Sequence, residues 1–177
     1  YKFDDNFEDA TENEIHGFGT ASTSFVEGIS TESKAVKFSK TDNSTFVVAS
    51  PIIDSKEMTI SFWGKDFSDG HIFHLTSSRS NAPMFSLNMV NGQLKFVVTI
   101  YNNSMYSFNA QPFVHPTLTD GKWHHIVLTS DFGITDKSYI TNTLYVDGLK
   151  VNSVTEGTLQ ASYSYGSGTN FTMGGNL

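Results

Sequence analysis

The sequence predicts an all-β protein, a two-sheet antiparallel jelly-roll sandwich, and three observations carry that prediction. Apolar and polar residues alternate with period two over many short runs, turn dipeptides separate the runs, and helical periodicity is nearly absent. Residues 120–129, DGKWHHIVLT, and 144–148, LYVDG, show the pattern most fully. In the first, Ile126 and Leu128 share one face while His125, Val127 and Thr129 share the other. In the second, Leu144 and Val146 face one way and Tyr145 the other, and Asp147-Gly148 offers the positive φ angles of a tight hairpin.

Taken in order, the β-branched and aromatic runs predict strands at Lys34 to Ser39, Thr45 to Ala49, Met58 to Lys65 and His71 to Thr76. Further runs at Met84 to Met89, Gln93 to Tyr101 and Met105 to Asn109 follow, with Asp69-Gly70 and Asn91-Gly92 as turns between neighbours. His124 to Ser130, Asn142 to Val146, Leu149 to Val154 and Asn170 to Gly174 complete the set. Inward parity predicts a core that includes Val36, Phe38, Ile60, Phe62, Leu94, Phe96, Ile126, Leu128, Leu144 and Val146. The Ser/Tyr/Gly stretch from Ala161 to Thr169 reads as a loop, and no internal repeat divides the chain. Residues 1–177 are expected to form one domain, long enough to bury roughly 70% of the unfolded surface.

Composition excludes several functions. The chain has no cysteine, which removes thiol nucleophiles, thiolate metal sites and a disulfide scaffold. With 18 acidic against 11 basic residues the formal charge is -7, which repels polyphosphate and argues against nucleic acid as a partner. No apolar run approaches the roughly 18 residues that a membrane helix needs.

The DGxWHHxxxT strand followed by LYVDG resembles the laminin-G-like branch of the concanavalin A-like lectin/glucanase superfamily. Residues 3–17 (FDDNFEDATENEIHG), 58–65 (MTISFWGK) and 170–175 (NFTMGG) extend the resemblance, as do Ala35 to Phe38 and Phe46 to Val48. The resemblance implies a concanavalin A-like jelly roll, and it implies a departure at the end, where a final strand of the family would follow Gly175. Tyr1 looks like a point inside a first strand. The chain is therefore expected to be a portion of a longer protein that lacks its last strand.

The residues that could bind a ligand follow from strand parity. On Met58 to Lys65, Met58, Ile60 and Phe62 fall on one face, and Thr59, Ser61, Trp63 and Lys65 on the other. An indole then stands on an otherwise polar face. Trp63, with His125, Tyr145 and Lys65, is expected to form a ligand-binding platform. The structural alternative is that Trp63 packs beneath a loop, in which case the rim loops 77–82 and 162–169 become the place to look for a site. Trp123 is expected to close the edge of the core.

Histidines argue against zinc at this stage, because His124 and His125 are adjacent and His71 and His74 differ by three, so each pair diverges on a regular strand. His16 and His115 lie in loop-like sequence. Calcium suits the oxygen-rich turn that contains Asp4, Asp5, Asn6, Glu8, Asp9 and Asn13, and Asp4, Asn6 and Asp9 are the expected ligands of one structural ion. The alternative is a solvated acidic turn. Catalysis is not expected, since no single strand carries two carboxylates at alternating positions, as the superfamily's retaining glucanases do.

The resulting expectation is a non-catalytic, lectin-like carbohydrate-binding module of an exported bacterial protein, extracellular or at the cell surface, whose partner is a neutral oligo- or polysaccharide. The alternative is a protein-interaction or spacer module. A glycoside hydrolase ranks third.

Overall fold

The computed structural model describes residues 1–49, 57–76, 83–102, 104–109, 118–131, 140–156 and 170–175. Thirteen strands occur among them: β1 (Phe18–Gly19), β2 (Ser24–Glu27), β3 (Lys34–Lys37), β4 (Thr45–Ala49), β5 (Glu57–Gly64), β6 (Gly70–Thr76), β7 (Pro83–Val90), β8 (Gln93–Asn102), β9 (Ser104–Asn109), β10 (His124–Asp131), β11 (Ile140–Val146), β12 (Leu149–Glu156) and β13 (Asn170–Gly174). The described residues contain no helix, and so none long and apolar enough to cross a membrane. The expected His115 and the two rim loops, 77–82 and 162–169, lie outside the described residues.

The chain divides into two compact units, each assembled from separated stretches. The first comprises Tyr1–Ile52, Gly70–Asn88 and Gly166–Leu177. In it β1, β4, β13, β6 and β7 lie side by side in that order, and β2 pairs with β3 as a small antiparallel ribbon. The central strand β13 pairs antiparallel with β4 on one side, Met173 opposite Phe46, and with β6 on the other, Met173 opposite Phe73. Phe46, Val48, Phe73 and Leu75 are buried, and Phe73 stacks on Phe171 with ring centroids 5.7 Å apart. Strand β4 keeps strict alternation on this face, as a half-covered sheet requires.

Residues 1–17 contain no strand, contrary to the expectation that the chain opens inside one. Their aromatic side chains instead crowd onto Phe46. Tyr1, Phe3 and Phe7 lie 5.0, 5.1 and 5.4 Å from its ring, and Phe7 meets Phe25 of β2 at 5.0 Å. Ring-to-ring packing of this kind buries large apolar area without a ladder of backbone hydrogen bonds. The MGG end of β13 has a steric reason as well. Gly174 sits at φ +76°, and a Cβ there would come within 2.5 Å of Phe38 Cδ1 and 2.7 Å of the Ser44 carbonyl oxygen.

The second unit comprises Ile53–Asp69 and Met89–Tyr165. It contains a four-stranded antiparallel sheet in the order β12-β11-β10-β5, together with the β8–β9 hairpin. Buried Leu94, Phe96, Ile126, Leu128, Leu144 and Val146 agree with the parity expected from the sequence. Val36, Phe38, Ile60 and Phe62 are only half-buried, because alternation assigns a side chain to a face without saying how completely that face is covered.

Candidate functional site

The outward face of the four-stranded sheet carries three of the four residues expected to bind a ligand. Register sets Trp63 of β5 directly opposite His125 of β10, and Ser61 opposite Val127, which in turn faces Tyr145 of β11. Thr59, Thr129, Thr143 and Ser153 form the next row across all four strands. Trp63 is 51% exposed. Its indole stacks on the His125 imidazole with centroids 4.9 Å apart and planes inclined by 25°. The imidazole is held from the side by Ser61, whose Oγ lies 2.9 Å from His125 Nε2. Directly opposed and diagonal partners on one sheet face are within reach of each other, which is why these three groups meet.

Tyr145 shares the face but stands one strand and one row away, beyond Val127, and is half-buried. Lys65 is drawn elsewhere. Its Nζ lies over the Trp123 ring, 5.8 Å from the centroid, and 3.9 Å from Asp66 Oδ2. Trp123, expected at the core edge, is half-buried with its ring beneath that ammonium. The signal was available, since Trp123 precedes His125 by two positions and so shares its parity. Both tryptophans of the chain thus belong to the β5/β10 end of one sheet.

An ion-pair network around a buried histidine, with its two carboxylates at the surface, fixes the backbone beneath this platform. His124 is 6% exposed, pointing inward where His125 points outward. Its Nδ1 lies 2.7 Å from Asp147 Oδ2 and its Nε2 lies 3.0 Å from Asp120 Oδ1. Carboxylates only accept, so an imidazole facing one on each side donates from both nitrogens and is cationic. The hydrogen bond to Asp147, reinforced by Asp120, raises the His124 pKa against the opposing effect of burial. The Asp120 carboxyl is correspondingly lowered, first by His124 and then by the Lys122 amide. Asp147 also accepts from the His125 amide at 2.9 Å, and its own amide donates to the His125 carbonyl at 2.9 Å. The turn between β11 and β12 therefore clamps the residue that stacks on Trp63.

The acidic N-terminal turn is organised differently from a metal cage. Asp4 Oδ1 accepts from the Lys34 amide (3.1 Å), and Asn6 Oδ1 from the Glu8 amide (3.0 Å). Asp9 accepts from the Thr11 amide (2.9 Å), the Thr11 hydroxyl (2.8 Å) and the Ile15 amide (3.1 Å), and the Thr11 amide is the foremost cause of its lowered pKa. Asn6 and Asp9 serve local turns and Asp4 the start of β3, so a calcium ion here would have to share oxygens already engaged. Among the described residues no group of three or more His, Asp or Glu side chains is arranged to hold a metal. One carboxylate pair escaped a search along single strands: Glu57 and Asp131 stand opposite each other across β5 and β10, both exposed.

Residues 31–176 match a laminin-G family described as the concanavalin A-like lectin/glucanases superfamily. No curated protein matches the chain. Among solved structures it is similar to the binding domain of Paraclostridial Mosquitocidal Protein 1, with a TM-score of 0.61 and 16% identity over 96% of this chain and 45% of that one. It is similar to the binding domain of botulinum neurotoxin DC, solved in complex with rat synaptotagmin II, with a TM-score of 0.59 and 14% identity over 97% and 42%. It also resembles an endo-beta-1,4-glucuronan lyase from the fungus Trichoderma reesei, with a TM-score of 0.55 and 16% identity over 88% and 74%. The chain spans less than half the length of the two toxin binding domains it matches. At these identities the likeness is one of fold, an all-β concanavalin A-like jelly roll.

Proposed function

The chain belongs to the concanavalin A-like lectin/glucanases superfamily, and from that premise we propose that it is a non-catalytic, lectin-like module that binds a neutral glycan outside the cell. One observation supports the reading above the others: an indole, 51% exposed, stacked on an imidazole that Ser61 holds in place, on a sheet face that also carries the hydroxyls of Thr59, Thr129 and Tyr145. The C–H face of a pyranose packs on such a flat apolar surface, while Ser61, Thr59, Thr129 and Tyr145 offer hydrogen bonds to its hydroxyls. Because His125 is clamped by Asp147, the platform is ordered before a ligand arrives, which lowers the entropy lost on binding. The net charge of -7 favours a neutral chain over a polyanion.

A protein-docking role is the second reading, suggested by the neurotoxin binding domain's complex with synaptotagmin II. The lyase of similar fold raises an enzymatic one. For a glycoside hydrolase, Glu57 and Asp131 are a carboxylate pair facing each other across β5 and β10 among the described residues, both exposed.

Glycan-array screening of the domain, followed by calorimetry on the best neutral oligosaccharide, tests the proposal. Trp63→Ala is expected to weaken binding at least tenfold, about 1.4 kcal/mol, with the melting temperature little changed. Retention of full affinity in a folded Trp63→Ala variant would remove the platform from the function.

A further inference from the structure

We propose that His71 and His74 form a binding site for one divalent transition-metal ion of the zinc class, on the sheet of the first unit and separate from the Trp63 face. Three positions apart on a regular strand, these rings would point away from each other. The strand is not regular there. Pairing of β13 with β6 runs from Thr76 to Phe73, and the inward-outward alternation breaks at Ile72, with His71 and Ile72 both half-buried. The two imidazoles come to lie 4.9 Å apart, inclined by 52°. This corrects the divergence expected from the sequence.

The surroundings are polar on the side that Phe73 and Leu75 avoid. Thr172 of β13 stands opposite His74, and Ser86 and Asn88 of β7 are buried nearby. Asn88 Nδ2 donates to Ser86 Oγ at 3.1 Å, which leaves Asn88 Oδ1 facing His71 Nδ1 at 2.7 Å. An amide oxygen only accepts, so His71 carries a proton on Nδ1, and in the neutral ring the lone pair then lies on Nε2. Metal-ligating histidines are prepared in this way, with the second ring nitrogen donating to a carbonyl or carboxylate that fixes tautomer and orientation.

His74 supplies the complementary observation. Its Nδ1 is buried and has no hydrogen-bond partner among the described residues. Buried polar atoms without a partner are rare and point to a missing ligand. Two neutral imidazole nitrogens suit zinc, copper or nickel and offer little to calcium or magnesium, which prefer oxygen. The Thr172 hydroxyl and water are the candidates for the remaining positions.

Calorimetric titration of the metal-free domain with zinc chloride should give one equivalent of saturable uptake. Zinc at ten times its dissociation constant should raise the melting temperature by roughly 3–6 °C, and calcium or magnesium should not. His71→Asn and His74→Asn are each expected to abolish that uptake, while His125→Asn and His16→Asn retain it. To avoid dependence on variants that fold poorly, ¹⁵N imidazole spectra of the native domain should show zinc moving the His71 and His74 signals. No saturable uptake, uptake that survives both variants, or zinc-induced shifts at other histidines instead would overturn the proposal.

Discussion

His124 and His125 share a sequence environment but occupy different surroundings, one inside between two carboxylates and the other outside against an indole. The inner one makes stability depend on pH in a defined direction. A histidine whose pKa is raised by folding contributes fully below its unfolded value, about 6.5, and that contribution is lost as pH rises through the higher folded value. Asp120, lowered by folding, contributes above its unfolded value and loses that contribution as pH falls through the lower one. Thermal melts from pH 6 to 9 should therefore show a decline that is markedly reduced in His124→Gln, and a slope unaltered by that substitution would refute the network's role. At this scale the sequence was legible for parity and silent on partners. It placed Trp63 and His125 on one outward face, yet that Lys65 attends Trp123 and that His124 finds Asp120 and Asp147 are facts of register and turn geometry.

The turns and strands explain why so much of the fold could be read in advance. Asn91-Gly92 and Asp147-Gly148 adopt paired positive φ angles, 52° with 70° and 51° with 78°, as two-residue hairpin turns of the mirror-image type require. Strands bounded by such turns reveal themselves by alternation alone. Elements that lack these signals were missed: β1 has two residues, too few for a period to emerge, and residues 1–17 are fixed by rings meeting Phe46 across long sequence distances. Phe46 is the residue on which these contacts converge, and it is fully buried. Phe46→Ala should destabilise the protein by about 3–5 kcal/mol, measured by urea denaturation. A loss below about 1 kcal/mol would show that the N-terminal segment does not depend on it.

For the molecule as a whole, an ion that binds only the native state would add stability by mass action. A calcium ion shared by Asp4, Asn6 and Asp9 should thus appear as a fall in melting temperature on adding chelator, reversed by excess calcium. Equal melting curves in chelator and in calcium would leave these residues as acceptors for the backbone amides and the Thr11 hydroxyl alone. The placement of β13 has a consequence in time. The strand at the middle of its sheet is the last of the described strands to be synthesised, and until Asn170–Gly174 arrives, β4 and β6 have no common neighbour to join them. On a ribosome adding 5–20 residues per second, the interval between β6 and β13 is on the order of 5–20 s. During that interval the edges of β4 and β6 that β13 will join lack this partner, the condition in which strand edges are open to aggregation.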